Sequence, residues 1–172
     1  MDASLESLAR AVDEIMDGYA AERGVVHTTS YFQAKYVMEH VSEHNRARLV
    51  TTEGSTNRGE LLRAHGEREA SVLISPSLYQ GVDLKDDLAR FQVIVKVPYP
   101  DLSDRRTQVK MEGDRNWYNW QTALRLVQTY GRGVRSETDS CVTFVLDSNF
   151  LQFVNEHRGL FPSYFLEAVS AM

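Results

Sequence analysis

Cysteine occurs once, at Cys141, so the chain has no means of forming an internal disulfide, a cysteine-rich zinc site or a four-cysteine iron-sulfur cluster of its own. Proline and glycine are thin as well. Four prolines and ten glycines lie scattered among 172 residues, with no biased stretch and no internal repeat. This favours one compact unit over residues 1–172 rather than two domains on a linker. Long apolar runs are missing: Val93 to Val97 is interrupted by Lys96, and nothing approaches the roughly 18 apolar residues of a membrane span. The opening MDASLESLARAVDE is acidic and lacks the apolar segment of a signal peptide. The expectation is a protein with no membrane partner, in the cytoplasm, or in the nucleus of a eukaryotic cell. Net charge is −5, which argues against a free-standing nucleic-acid binder held by charge alone. The charge is uneven, however. Arg105 to Arg135 holds seven basic and two acidic residues, a local +5, and the other 12 basic and 22 acidic residues sum to −10. A local anion site fits this, as does a solvated charged face.

What is present is an alternation of helical and strand patterns. Leu5, Leu8, Ala11, Val12, Ile15 and Tyr19 follow helical spacing and predict an amphipathic opening helix within 1–22. Gly24 to Thr28 reads as a first strand, with Ser30 as N-cap of a helix running to about His44. Ala47 to Thr51 reads as a second strand, and the Asn57 to Glu60 spacing resembles a capping box opening a helix toward Glu69. Val72 to Ser75 and Phe91 to Val97 are too apolar along their length to have a wet face. A long helix with Trp117, Trp120, Leu124 and Val127 on one stripe leads to a fifth strand at Cys141 to Leu146, and residues 148–172 read as a helical tail. The pattern predicts a three-layer α/β sandwich with a mainly parallel sheet and a core over 24–147.

In an open parallel sheet, ligands gather at the carboxyl ends of the strands, which makes three segments informative. Ser75 to Asp83 is a loop with Gly81 at a bend and the Asp83 carboxylate two residues on; a helix cap at Asp83 explains it equally well. Gln128, Gly131, Arg132 and Arg135 fall within about 100° of one helical face, opposite Trp117, Trp120 and Val127, which are expected to be buried. Two guanidiniums side by side suit phosphate oxygens, whereas pairing with Glu137 or Asp139 would make them ordinary surface residues. Gly131 and Gly133 favour the first reading, since each costs a helix about 1 kcal/mol and implies close packing. His27 to Tyr31 combines a strand end, a helix start and three hydroxyls, a place for a phosphate or simply an N-cap. His40 and His44 are four apart but have no third metal ligand in register and stand beside Glu39 and Glu43, so a solvated face is the better reading.

In order and spacing these segments resemble the C-terminal motor domain of superfamily-two helicases, in particular the XPD/DinG group of DNA helicases, over about Gly24 to Asp147. Gln128-x-x-Gly131-Arg132-x-x-Arg135 is similar to helicase motif VI, and Tyr79-Gln80-Gly81-Val82-Asp83 to motif V, with Gln80 where this group usually has Glu. Val97-Pro98-Tyr99-Pro100 resembles the family's proline-bracketed aromatic, and His27 to Tyr31 resembles motif IV. The phosphate loop, the DExH carboxylates and the cluster cysteines that the family keeps in its N-terminal half are absent from this sequence.

That resemblance implies a RecA-like sheet of the P-loop NTPase type and a partner lobe, the N-terminal RecA-like half, which would hold most of the contacts to Mg²⁺ and ATP. By the same resemblance Arg132 and Arg135 contact the γ-phosphate, Gln128 orients them or the attacking water, and Gly81, Asp83 and Gly131 border the nucleotide. Thr28, Ser30, Tyr31, Ser77, Tyr79 and Gln80 would touch single-stranded DNA, with 5′ to 3′ translocation, and the lobe alone would hydrolyse no ATP. No metal ligand of the chain's own is expected. Two rivals stay open on the residues alone: a non-catalytic nucleotide- or nucleic-acid-binding module, and a small α/β hydrolase or phosphotransferase with Asp83 as base. The second has no glycine-rich phosphate loop or nucleophile elbow to support it.

Overall fold

The computed structural model describes residues 3–51, 58–76, 84, 86–133 and 140–170. Its centre is one parallel sheet of β1 (Gly24–His27), β2 (Leu49–Thr51), β3 (Val72–Ser75), β4 (Phe91–Ile94) and β5 (Val142–Val145). The strands run in the order β2-β3-β1-β4-β5, every neighbouring pair parallel. Each strand lies within the run that the sequence marks: β3 matches it end to end, and the other four are trimmed by one to three residues where the ladder ends.

Alternation along the strands gives the sheet two faces. One carries Val26, Val72, Ile74, Phe91 and Val93 and is covered by α1 (Ala3–Gly18) and α2 (Tyr31–His40), through Val12, Met16, Ala34 and Val37. On the opposite face Val25 and Leu73 pack against Leu61 of α4 (Arg58–Glu67). Beside them Ile94 packs against Ala123 and Leu126 of α6 (Arg115–Tyr130) and against Phe153, Phe161 and Phe165 of the C-terminal segment. The leftward crossover from β1 to β2 uses α2 on the first face, and the rightward ones from β2 to β3 and from β4 to β5 use α4 and α6 on the second, so these three share one hand, as expected of connections between parallel strands. The three layers are helices, sheet and helices, a RecA-like α/β arrangement.

Two elements depart from expectation. The helix after Ser30 stops at His40 because Val41 turns extended and Ser42 donates both its N–H (3.0 Å) and its hydroxyl (2.8 Å) to the Asp13 carboxylate of α1. A separate short helix, α3 (Glu43–Arg46), follows. His40 and His44 therefore sit on different helices: His40 stacks on Tyr36, and His44 pairs with Asp17 at 2.7 Å. Nearby, Arg48 donates to the carbonyls of Met16, Tyr19, Glu22 and Ala70 and to Asn45 Oδ1, all between 2.8 and 3.0 Å. One guanidinium thereby closes the C-terminal end of α1 onto the entry to β3.

The second departure concerns α6. Its buried residues are Thr122, Ala123, Leu126 and Thr129, not the stripe of Trp117, Trp120, Leu124 and Val127, and Trp120 is 47% exposed. The reason lies in α5 (Arg105–Gly113), which buries no residue and pairs with the first turns of α6 as a hairpin. There Lys110 sits over the Trp117 ring, 5.0 Å from its centroid. The helix therefore presents Trp117 to the hairpin, leaves Trp120 largely exposed, and turns a narrower, smaller-residue stripe to the sheet.

Candidate functional site

β1 lies between β3 and β4, and its outgoing helix crosses one face while those of β2 and β4 cross the other, so the chain reverses direction at its carboxyl end. His27 closes the strand, opposite Ser75 of β3 and Ile94 of β4. Thr28 follows, its N–H bonded to the Ser75 carbonyl at 3.3 Å. Its side chain is not on the surface: Thr28 is 5% exposed, and its Oγ1 is buried without a hydrogen-bond partner. Ser30 caps α2 by accepting from Gln33 N–H at 3.1 Å, while Gln33 Oε1 reaches back to Thr29 N–H at 3.0 Å and to the Thr29 hydroxyl at 3.2 Å. This is a reciprocal cap, and it uses backbone donors that the sequence leaves available for a phosphate. Beyond it Tyr31 and Phe32 are 50% and 69% exposed.

The face bearing His27 has a polar seam across the middle of the sheet. Gln92 of β4 is fully buried, and its amide donates to the Tyr130 carbonyl of α6 (2.9 Å) and to Thr143 Oγ1 of β5 (2.7 Å). That leaves Gln92 Oε1 as the acceptor, 3.2 Å from His27 Nε2, so the His27 proton sits on Nε2 and Nδ1 is a bare lone pair. Nδ1 is buried and has no hydrogen-bond partner. Burial pulls the His27 pKa from 6.5 down to about 4; the Gln92 bond opposes this, and the positive charge of Arg132 adds to it. His27 is neutral at pH 7, and the Arg132 charge is near enough to be felt there.

Arg132 reaches this point from the end of α6. The helix ends at Tyr130, with Gly131 as C-cap donating to the Val127 carbonyl (3.0 Å) and Arg132 N–H to the Thr129 carbonyl (3.1 Å). The helical-face argument therefore holds for Gln128, which is exposed, and fails from Gly131 onward. Arg132 is half-buried with its Nε enclosed, so it is not a fully solvated surface arginine. The glycines also have a different reason from the one expected. Neither lies inside the helix, and a Cβ on Gly133 would stand 2.3 Å from Cys141 Sγ, so Gly133 lets the turn press against the start of β5.

The proline-bracketed aromatic is anchored by residues that sequence patterning passes over. Asp147 accepts the Val97 N–H at 2.9 Å, Arg125 donates to the Tyr99 carbonyl at 3.3 Å, and Tyr99 stacks on Tyr118. Of the other expected site residues, Ser77, Tyr79, Gln80, Gly81, Asp83 and Arg135 lie outside the described residues, as does Asn57. Among the described residues no three histidine, cysteine, aspartate or glutamate side chains converge as a metal site. Gln92 is the residue that sequence reading misses, although a lone amide in an otherwise apolar run, FQVIVKV, was its signal.

Comparison with known proteins agrees with this fold. The family described as "Helicase C-terminal domain" matches residues 15–167. The ATP-dependent DNA helicase YoaA of Haemophilus influenzae is 27% identical over 132 residues, 72% of this chain and 20% of that protein. A Fanconi anemia group J protein homolog of Gallus gallus is 23% identical over 113 residues, 57% of this chain and 9% of that protein. Among solved structures, S. tokodaii Xpd4 superposes with a TM-score of 0.66 at 19% identity, over 93% of this chain and 33% of that one. XPD in its apo form gives 0.67 at 22%, over 88% of this chain and 33% of that one. The chain thus spans a fifth or less of the curated relatives' length and a third of each structural one.

Proposed function

The chain belongs to the helicase C-terminal domain family, and on that premise we propose that it is the second motor lobe of an ATP-dependent DNA helicase, supplying Arg132 to a nucleotide held mainly by a partner lobe. The observation that carries this reading is the position of Arg132: at the cap of α6, partly enclosed, with its charge felt at the end of β1. A guanidinium so restrained is oriented before any ligand arrives, which is what stabilisation of a phosphoryl-transfer transition state requires. Arg135 and Gln128 belong to the same site on this reading, with Gly81, Asp83 and Gly131 bordering the nucleotide. Magnesium would be held by the partner lobe, since this lobe's described residues offer cations and hydroxyls in place of a carboxylate cluster. Single-stranded DNA would run over the carboxyl end of β1. There Ser30 and Tyr31 are exposed, and Ser77, Tyr79 and Gln80 would join them, giving grip on a uniform backbone and base stacking without sequence preference. Thr28, being buried, would hold the strand end in place unless DNA draws its hydroxyl outward. Translocation is 5′ to 3′ on this reading, and the lobe by itself turns over no ATP.

The test is Arg132→Ala in an assembly that contains this chain and a phosphate-loop lobe. Turnover is expected to fall by about 10³ to 10⁵, with thermal unfolding and DNA affinity nearly unchanged, and Arg132→Lys to fail almost as badly. Equal loss of stability and activity, or no loss of activity, would overturn the assignment.

A further inference from the structure

Gln92 joins the two ends of this lobe. On one side it holds His27, the residue before Thr28 to Ser30; on the other it holds the Tyr130 carbonyl, two residues before Arg132. The three partners come from three elements, β1, α6 and β5, and lie 65, 38 and 51 positions away in sequence. The atom left over is chemically specific. His27 Nδ1 is a buried acceptor with no donor, and the positive charge of Arg132 is felt at the ring.

We propose that Gln92 and His27 are positioning residues: Gln92 ties the end of β1, through His27, to the α6 carbonyl two residues before Arg132, and so transmits movement at the end of β1 to that guanidinium. An imidazole pinned at Nε2 by Gln92 has one ring orientation, so a shift of the β1 end is passed to the amide. Displacement of the β1 end by a bound strand shifts His27, Gln92 and Tyr130 together, because the amide bridging them is rigid and fully buried. A protonated His27 would repel the guanidinium, and its burial keeps it neutral. Neither residue touches nucleotide or DNA. The inference rests on the nucleotide-facing reading of Arg132 only for its catalytic consequence.

The experiment has two arms. In the purified chain, nitrogen-15 NMR follows hydrogen exchange at Arg132 Nε–H in the wild type and in the double variant His27→Phe/Gln92→Leu. Replacing both partners of the buried polar pair by apolar groups keeps the variant foldable. Exchange is expected to quicken at least tenfold in the double variant and to stay within twofold in Thr143→Val, which removes only the third partner of Gln92. Should the double variant not fold, Gln92→Met, unbranched and of similar length, replaces it. Unchanged exchange in a folded variant overturns the proposal. In the assembly with a phosphate-loop lobe, the same variant is expected to lose at least tenfold in kcat and its stimulation by DNA, with KM for ATP within twofold. Wild-type kcat and stimulation there also overturn it, provided Arg132→Ala is inactive. If Arg132→Ala is itself active, faster exchange still upholds the positioning role, and it is the nucleotide reading that fails.

Discussion

The two faces of the sheet use the same strands and opposite kinds of side chain. Under α1 and α2 the interior is continuous: Val26, Val72, Ile74, Phe91 and Val93 form one apolar cluster with the two helices. Under α4 and α6 the apolar surface is split into a patch around Val25 and Leu73 and another around Ile94 and Leu126. Between them run His27, Gln92 and Thr143. The difference shows where rigidity and where coupling reside. A close-packed apolar face resists displacement and anchors the strands, whereas directional hydrogen bonds on the other face tie particular loop ends to each other. The seam carries a penalty of its own, since the buried acceptor His27 Nδ1 lacks a partner.

If the continuous face is the anchor, its largest side chain should matter most to stability. Phe91 is fully buried, stacks on Tyr19 with centroids 4.9 Å apart, and occupies the space a Cβ on Gly24 would need, 2.2 Å from the ring. Phe91→Ala is expected to cost about 3 to 5 kcal/mol by urea unfolding. A loss below about 1 kcal/mol would mean that the apolar face is not the anchor.

The seam should show itself through pH. His27 has a folded pKa of about 4 against 6.5 when unfolded, so the unfolded chain takes up the proton first. Stability is full above pH 6.5 and falls as pH drops from 6.5 toward 4, by about 3 kcal/mol across the whole window. Buried His65, bonded to Ser71 Oγ and to the Leu88 carbonyl, is also shifted down by burial and acts in the same direction. His27→Phe should therefore shrink, but not abolish, the difference between unfolding midpoints at pH 7 and pH 5. An unchanged difference would place the pH sensitivity away from the seam.

The smallest effect concerns DNA. With Ser30, Tyr31, Ser77 and Gln80 as contacts and an overall charge of −5, few phosphates are neutralised. At about −0.7 per phosphate for single strands, the slope of log affinity against log salt is expected near −1 to −2. A slope steeper than about −4, with affinity lost in Arg132→Ala, would turn the basic region from Arg105 to Arg135 into the DNA groove and remove the nucleotide reading.

Strand positions were legible because each is a short β-branched or aromatic run between turns, and the parallel, two-sided burial of Val72 to Ser75 and Phe91 to Ile94 follows from their lacking a polar alternation. The motif order, the cap at Ser30 and the candidacy of Arg132 were legible for the same local reason: each depends on residues within about one or two helical turns. What lay beyond reach depends on partners far along the chain. The end of α2 is set by Asp13, 29 positions from Ser42. The buried side of α6 is decided by the α5 hairpin, and the partial burial of Arg132 by a helix that ends one residue before Gly131. The bond between His27 and Gln92 spans 65 positions, and only the strand order, which sets β1 beside β4, brings them together. Local spacing determines which segments become strands, helices and caps; which polar groups meet inside the sheet is decided by crossover topology, because neighbours in a parallel sheet need not be neighbours in sequence.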